Sequence, residues 1–129
     1  MLRFSAVGVS DVGLVRATNQ DSAVATSGLL VVADGVGGAA AGEVASARAA
    51  SAVLETAQRT RGPLPVVVLR QAVESAQKAV ALAITEDPAR AGMATTLTAV
   101  LTNGTDAALA QLQAALDRTR PAKVAVPNP

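Results

Sequence analysis

The pattern of apolar and polar positions divides the chain into an extended first part, two helical segments and a further strand. Short apolar runs at residues 6–9 and 12–15 are interrupted by Gly and polar residues, and the compact apolar run at 28–33 predicts a strand. A β-branched run at 95–102 predicts another strand, and Asn103-Gly104 after it predicts a hairpin turn.

The middle of the chain has the period of two helices. Residues 41–58 are rich in alanine, and Glu43 near their start suits the positive end of a helix dipole. From 66 to 86, apolar side chains recur every three or four positions and form one stripe: Val66, Leu69, Val73, Ala76, Val80 and Ile84. Strands, two helices and another strand favour an α+β layered architecture over an alternating parallel sheet.

The last part of the chain carries mixed signals. By propensity, residues 105–120 favour a helix. The final segment, 121–129, contains three prolines and predicts an unstructured tail.

Composition limits the size of the core and the kind of partner. The chain has 129 residues, enough for one domain, and 50% of them are apolar, with one Phe and no Trp or Tyr. The net charge is +1 and the basic residues are scattered, which argues against nucleic acid as a partner. No apolar stretch is long enough to span a membrane, so we expect a soluble cytoplasmic protein that has no membrane partner.

Two missing residue types restrict the chemistry. The chain has no Cys and no His, which excludes thiol and imidazole catalysis and zinc sites built from those ligands. Carboxylates, hydroxyls, cations and a bound metal remain. Oxygen ligands alone favour a hard cation, Mg²⁺ or Mn²⁺.

Candidate ligands lie where the strand predicted at 28–33 ends. Asp34 follows it directly, and three glycines occur among the next four residues. This pattern is typical either of a tight Asp-Gly turn or of a metal or phosphate site. Upstream, Arg16 has a planar fork suited to phosphate, and Asp21 is a further carboxylate. Taken alone, Arg16 favours interpretation as a solvated surface charge and Asp21 as a loop cap, and only together with Asp34 do they indicate a phosphate and metal site.

These stretches together resemble a known family. The sequences SDVGLVRATNQDS and LLVVADGVGGAAAGEVAS are similar to the first two motifs of bacterial metal-dependent serine/threonine protein phosphatases of the type 2C (PPM) family, and GMATTLTAVL matches a later strand. The resemblance covers residues 5–112. It implies a four-layer αββα sandwich, in which two antiparallel sheets flanked by helices hold two Mn²⁺ or Mg²⁺ ions that promote hydrolysis of phosphoserine and phosphothreonine.

The resemblance also implies roles for individual residues. Asp34 would bridge both metals, the Gly35 carbonyl would help to hold one, and Asp21 would lie close to the metals, often through water. Arg16 would bind the substrate phosphate. A metal-bound hydroxide would be the nucleophile, so no side chain is predicted to act as one.

The chain departs from the family pattern after residue 112. Residues 107–112 match the next family strand, but the Gly-Asp-Ser-Arg motif and the later metal aspartates are not found after it. Asp106 and Asp117 match no family ligand, and Ala94 stands where Gly is usual. We therefore expect a phosphatase part at 1–112 and a divergent, disordered tail at 113–129, produced by truncation or a change of reading frame.

Two functional interpretations follow. In the first, the chain is a phosphatase that dephosphorylates phosphoprotein substrates and carries only the first half of the active site, so that metal binding is weak and a second polypeptide completes the fold. In the second, it is a catalytically inactive remnant or a protein-interaction module of the same fold.

Overall fold

An antiparallel sheet with two helices on one face forms the described part of the chain. The computed structural model describes residues 1–38, 41–60, 64–112 and 123–125. The strands are β1 (Asp21–Ala25), β2 (Leu29–Val36), β3 (Ala94–Thr95), β4 (Leu97–Thr102), β5 (Ala107–Leu112) and β6 (Lys123–Ala125). The helices are α1 (Ala41–Arg59) and α2 (Pro65–Glu86), followed by a 3₁₀ turn at Pro88–Arg90. This arrangement confirms the α+β class.

The order of the strands places β2 in the interior of the sheet. Neighbours run β1-β2-β4-β5-β6, and β3 pairs with the last residues of β2. All of these pairs are antiparallel. Along β2, Leu29, Val31 and Ala33 are buried beneath the helices, and the residues between them point to the other face.

The core lies between the sheet and the two helices. On α2 the predicted apolar stripe is confirmed, because Leu69, Val73 and Val80 are fully buried. Helix α1 contributes mainly alanines, and Ala45 and Ala49 are buried against the sheet. Small side chains allow close packing but contribute little apolar area each, which gives a thin core.

The sheet face away from the helices is open in the described part of the chain. Val32 and Val36 of β2 expose 60% and 57% of their surface, and Leu109 of β5 exposes 37%. We call this surface the open face. On this face, the following residues lie directly opposite each other on neighbouring strands: Asp21 with Asp34, Leu30 with Val100, Val32 with Thr98, and Val100 with Leu109.

The first 20 residues, predicted from their short apolar runs to be extended, pair with no strand of the sheet. Val7 and Val9 are each 93% exposed. Backbone hydrogen bonds from Leu2 to Gly104 and from Phe4 to Ser27 hold the first residues against the turns of the sheet. The apolar runs are short, and Gly13 takes a positive φ of 79° in the turn that interrupts them.

The region after β4 decides between two expectations. Residues 107–112 form β5, as the family resemblance implied, and not the helix that propensity favoured, because Ala108, Ala110 and Leu112 alternate into the core and the strand pairs with β4. Within the predicted tail at 113–129, Lys123–Ala125 form β6, which pairs with the outer edge of β5. Residues 113–122 and 126–129 lie outside the described residues.

Among the described residues, neither helix combines the length and apolar character needed to cross a lipid bilayer.

Candidate metal centre

Asp34 lies within a strand and not in a turn. Strand β2 continues past the predicted end at residue 33 as far as Val36, so the interpretation as a tight Asp-Gly turn is wrong. The Thr96 amide donates to the Asp34 carbonyl at 2.8 Å. In return, the Asp34 amide donates to the Thr96 hydroxyl at 3.1 Å. These two bonds fix the backbone of Asp34 on the side of β4.

Asp21 lies directly opposite Asp34 in the neighbouring strand β1. Because the backbone groups of Asp34 bond to Thr96, its pairing with Asp21 is the non-hydrogen-bonded kind, in which the Cα atoms are about 4.5 Å apart and the side chains approach closely. Both carboxyl groups point to the open face, where they are exposed.

The closeness of the two acids changes the ionisation of Asp21. Partial desolvation, a side-chain hydrogen bond with Asp34 and the negative charge of Asp34 raise the pKa of Asp21 above its ordinary value. The positive charge of Arg16 acts in the opposite direction. The structure therefore places side by side Asp21 and Asp34, two of the three side chains that the sequence singled out, and Arg16 acts on Asp21 through its charge.

The glycines after Asp34 allow β2 to approach the start of α1. A Cβ atom on Gly35 would overlap the Gly42 carbonyl and lie 2.8 Å from the carbonyl oxygen of Gln20. A Cβ atom on Gly37 would lie 2.9 Å from the Gly42 amide nitrogen. Both distances are too short for a side chain, so Gly35, Gly37 and Gly42 permit the contact between strand and helix. Gly38 has no such neighbour, and its Cβ position is open.

Two further polar residues hold this segment, and the sequence did not single them out. The Gln20 carbonyl accepts hydrogen bonds from the Gly35 amide at 3.1 Å and from the Ser46 hydroxyl at 2.7 Å. The Gln20 side-chain amide donates to the Gly37 carbonyl at 3.1 Å. Ser46 is fully buried on α1. The one feature of the sequence that could have indicated Ser46 is its polar side chain at a helical spacing among small apolar residues.

Comparison with known proteins identifies the fold and the family. No protein-family profile matches the chain. The chain is 43% identical over 104 residues to the serine/threonine protein phosphatase PstP of Mycobacterium tuberculosis, a match that covers 81% of this chain and 20% of that protein. The crystallised catalytic domain of PstP in complex with two manganese ions matches with a TM-score of 0.75 and 41% identity, over 81% of this chain and 45% of that chain. The PPM Ser-Thr phosphatase MsPP of Mycobacterium smegmatis, in complex with cacodylate, matches at a TM-score of 0.73 and 29% identity, over 87% of this chain and 47% of that chain. The chain thus matches part of the fold of PPM phosphatases.

The PPM similarity is partial in two senses. The chain spans one fifth of the length of the curated relative and less than half of each crystallised chain. The described residues supply one sheet and two helices of the PPM fold. The expected fold is confirmed as part of a larger domain.

The donor set of this PPM segment suits a hard divalent cation but fills only part of its coordination shell. Two carboxylates face each other, and Mn²⁺ and Mg²⁺ prefer oxygen ligands of this kind. Within residues 1–38, 41–60, 64–112 and 123–125, no group of three or more acidic side chains comes together as a metal site. Asp106 lies in the turn between β4 and β5, where its backbone carbonyl accepts from Asn103 and Thr102, and Asp117 lies outside the described residues.

Proposed function

We propose that this chain contributes to a metal-dependent centre that hydrolyses phosphoserine and phosphothreonine in proteins. Asp34, Asp21 and the Gly35 carbonyl would hold Mn²⁺ or Mg²⁺, and Arg16 would bind the phosphate of the substrate. The observation that carries the proposal is the cross-strand pair of Asp21 and Asp34 on the open face, where the positive charge of Arg16 acts on Asp21. The names of the similar phosphatases, one of which binds two manganese ions, support it.

When bound, the metal supplies an activated water and neutralises charge on the phosphate. The residues of the chain prepare the place for it. Two carboxylates held side by side repel each other, and Asp21 and Asp34 would lose that repulsion on binding a divalent cation. The Thr96 bonds keep the backbone of Asp34 in position for this role. Arg16 is exposed and carries a fork of N–H donors that matches two phosphate oxygens.

A second polypeptide would complete the centre and would cover the open face. Three observations support this part of the proposal: the described residues bring only two carboxylates together, Val32 and Val36 are largely exposed, and the chain matches 45% of a crystallised PPM domain. Loss of several metal ligands would cost many orders of magnitude in rate. We therefore expect the chain alone to turn over substrate at a rate close to background.

The open face also favours a second role. An apolar sheet surface of this kind is typical of a protein-interaction site. In this role the chain is a catalytically inactive module of the same fold, and it uses that surface to bind a partner protein.

The test measures metal binding and hydrolysis by the purified chain. Calorimetric titration with Mn²⁺ should give a dissociation constant of about 1 mM, since most positions on the ion are left to water. Asp34→Asn should abolish this binding, and Glu74→Gln, a matched change on the exposed face of α2, should leave it unchanged. Hydrolysis of a phosphothreonine peptide with Mn²⁺ should stay near background.

Two results would contradict the proposal. Absence of Mn²⁺ binding, or binding that Asp34→Asn does not weaken, would exclude the metal centre. Robust Mn²⁺-dependent turnover abolished by Asp34→Asn would show that the chain itself, or a second copy of it, supplies the remaining ligands, so that no other polypeptide is needed.

A further inference from the structure

We propose that Gln20 and Ser46 are positioning residues, which set the direction of the Gly35 carbonyl beside the Asp34 carboxylate. This inference rests on the proposed metal centre and deepens it. Neither residue points to the open face, and neither would touch the metal or the substrate. Their effect would pass through the backbone between Asp34 and Gly37.

The peptide unit that joins Asp34 to Gly35 is held at both of its ends. Its carbonyl accepts from the Thr96 amide at 2.8 Å, and its N–H donates to the Gln20 carbonyl at 3.1 Å. Since the carbonyl and N–H of a trans peptide point in opposite directions, these bonds fix the plane from two sides. The Gly35 carbonyl belongs to the next peptide unit, so its direction depends on what holds the residues after it.

Gln20 supplies that second point of attachment. Its side-chain amide donates to the Gly37 carbonyl at 3.1 Å. The Gly35 carbonyl therefore lies on a segment of three residues that Gln20 contacts at both ends, through its own backbone and through its side chain. Gly35 and Gly37 have no Cβ, so their backbone dihedral angles are less restricted than those of other residues. The two hydrogen bonds to Gln20 supply the restriction that a side chain would otherwise provide.

Packing fixes the Gln20 side chain in turn. A Cβ atom on Gly42 would overlap the Gln20 side-chain oxygen, so this amide packs against Gly42 in the first turn of α1. The position of the helix is thus transmitted to the strand. Residues that contact a metal ligand, and not the metal itself, are known to orient the ligands of metal sites in this way.

Ser46 holds the Gln20 carbonyl from within the core. The Ser46 hydroxyl lies 2.7 Å from the Gln20 carbonyl, 3.2 Å from the Glu43 carbonyl and 2.9 Å from the Ser22 hydroxyl. A hydroxyl has one proton, and the shortest contact assigns it to the Gln20 carbonyl, which leaves Ser22 to donate to Ser46. Because Ser46 is fully buried, water cannot replace its bond, and its removal would leave the Gln20 carbonyl with one partner fewer.

The experiment uses the full chain and separates positioning from simple stabilisation. Gln20→Met keeps the size of the side chain and removes the donor, and Ser46→Ala removes the buried hydroxyl. Matched controls are Gln71→Met on the exposed face of α2 and Ser51→Ala on the exposed face of α1. Mn²⁺ affinity is measured by calorimetry, well below the unfolding temperature of each variant. The carbonyl ¹³C shift of Gly35 is followed by NMR during titration with Mg²⁺.

We expect Gln20→Met and Ser46→Ala to weaken Mn²⁺ binding about tenfold, as is usual when a group behind a metal ligand is lost. The Mg²⁺-induced shift of Gly35 should shrink in both variants and persist in both controls. A lowered melting temperature with unchanged affinity and unchanged Gly35 shift would overturn the inference, because it would show a structural role only. If the Ser46→Ala chain does not fold, the Gln20→Met chain alone tests the positioning role, because Gln20 is only half-buried.

Failure of the metal centre gives a different result. If the unaltered chain binds no Mn²⁺, or if Asp34→Asn does not weaken binding, both the centre and the positioning role are wrong. If binding depends on Asp34 and is indifferent to Gln20 and Ser46, the centre stands and only the positioning role is wrong.

Discussion

At the scale of single residues, the facing carboxyls of Asp21 and Asp34 dominate the electrostatics of the candidate site. Like charges directly opposite each other in antiparallel strands are destabilising by a fraction of a kcal/mol. The folded chain holds the proton of Asp21 more tightly than the unfolded chain, because its pKa is raised. This group therefore favours folding most at a pH below the pKa of an unfolded aspartate, and its contribution is lost as the pH rises through the raised value.

Replacement of Asp21 by Asn should stabilise the metal-free chain by about 0.5 kcal/mol at pH 7, because it removes one of two repelling charges. The gain should shrink as the pH falls through the raised pKa of Asp21, because the protonated carboxyl no longer repels its neighbour. Urea unfolding over a series of pH values from 7 downward measures it, with exposed Asp11→Asn as the matched control. An Asp21→Asn chain that is less stable than the unaltered chain at pH 7 would contradict this account.

Gly35→Ala should destabilise the chain by about 2 kcal/mol, in the range of other overpacking changes. The new methyl group would overlap the Gly42 carbonyl, which is backbone and cannot move aside without displacing α1. Gly38→Ala is the control, because nothing lies within 4 Å of its Cβ position. Thermal unfolding of the two variants tests the difference, and equal melting temperatures would mean that strand and helix are less closely packed than described.

At the scale of elements, the sequence predicts helices better than strand boundaries. The three- and four-residue spacing on α2 was sufficient because one face of that helix meets the core along its whole length. Helical propensity failed at β5, since alanine favours a helix locally while pairing with β4 and burial decide the outcome. The end of β2 was placed too early, because bonds from Thr96, 62 residues away, extend the strand through Asp34.

Helix α2 has one leucine within its apolar stripe and one outside it, which can be compared directly. Leu69 is fully buried and Leu82 is 56% exposed on the same helix. Leu69→Ala should cost about 3 kcal/mol of unfolding free energy, and Leu82→Ala should cost less than about 1 kcal/mol. Chemical denaturation followed by circular dichroism compares them. Similar losses for both leucines would show that the helix does not pack on the sheet as described.

At the scale of the whole molecule, the sequence suggests candidate site residues but not their surroundings. Asp34, Asp21 and Arg16 were singled out because their spacing matches a family motif, and their roles stay predictions. Gln20 and Ser46 were not, because their roles depend on contacts between β1, β2 and α1 that no local pattern records. The open face was implied only as a missing layer, and its apolar character becomes visible once the register aligns Leu30, Val100 and Leu109.

The open face should bind an apolar dye in the isolated chain, because Val32 and its neighbours are exposed together. Val32→Lys should reduce the dye fluorescence and change stability by less than about 0.5 kcal/mol, as is usual for surface positions. Val67→Lys on the outer side of α2, where Val67 is 45% exposed, is the control and should leave the fluorescence unchanged. Equal loss of fluorescence in both variants would show that the dye does not report this surface.

The position of the two carboxylates on one hairpin also has a consequence for the order of folding. Asp21 and Asp34 pair across the short connection between β1 and β2, a contact that closes a small loop and forms quickly. Thr96, by contrast, is separated from Asp34 by 62 residues that include both helices, so this contact must close a much longer loop. We therefore expect the acidic pair to meet early, while the backbone beneath it becomes rigid late. In pulse-labelling hydrogen exchange, the amides of β1 should gain protection before the amides of Asp34 and Thr96.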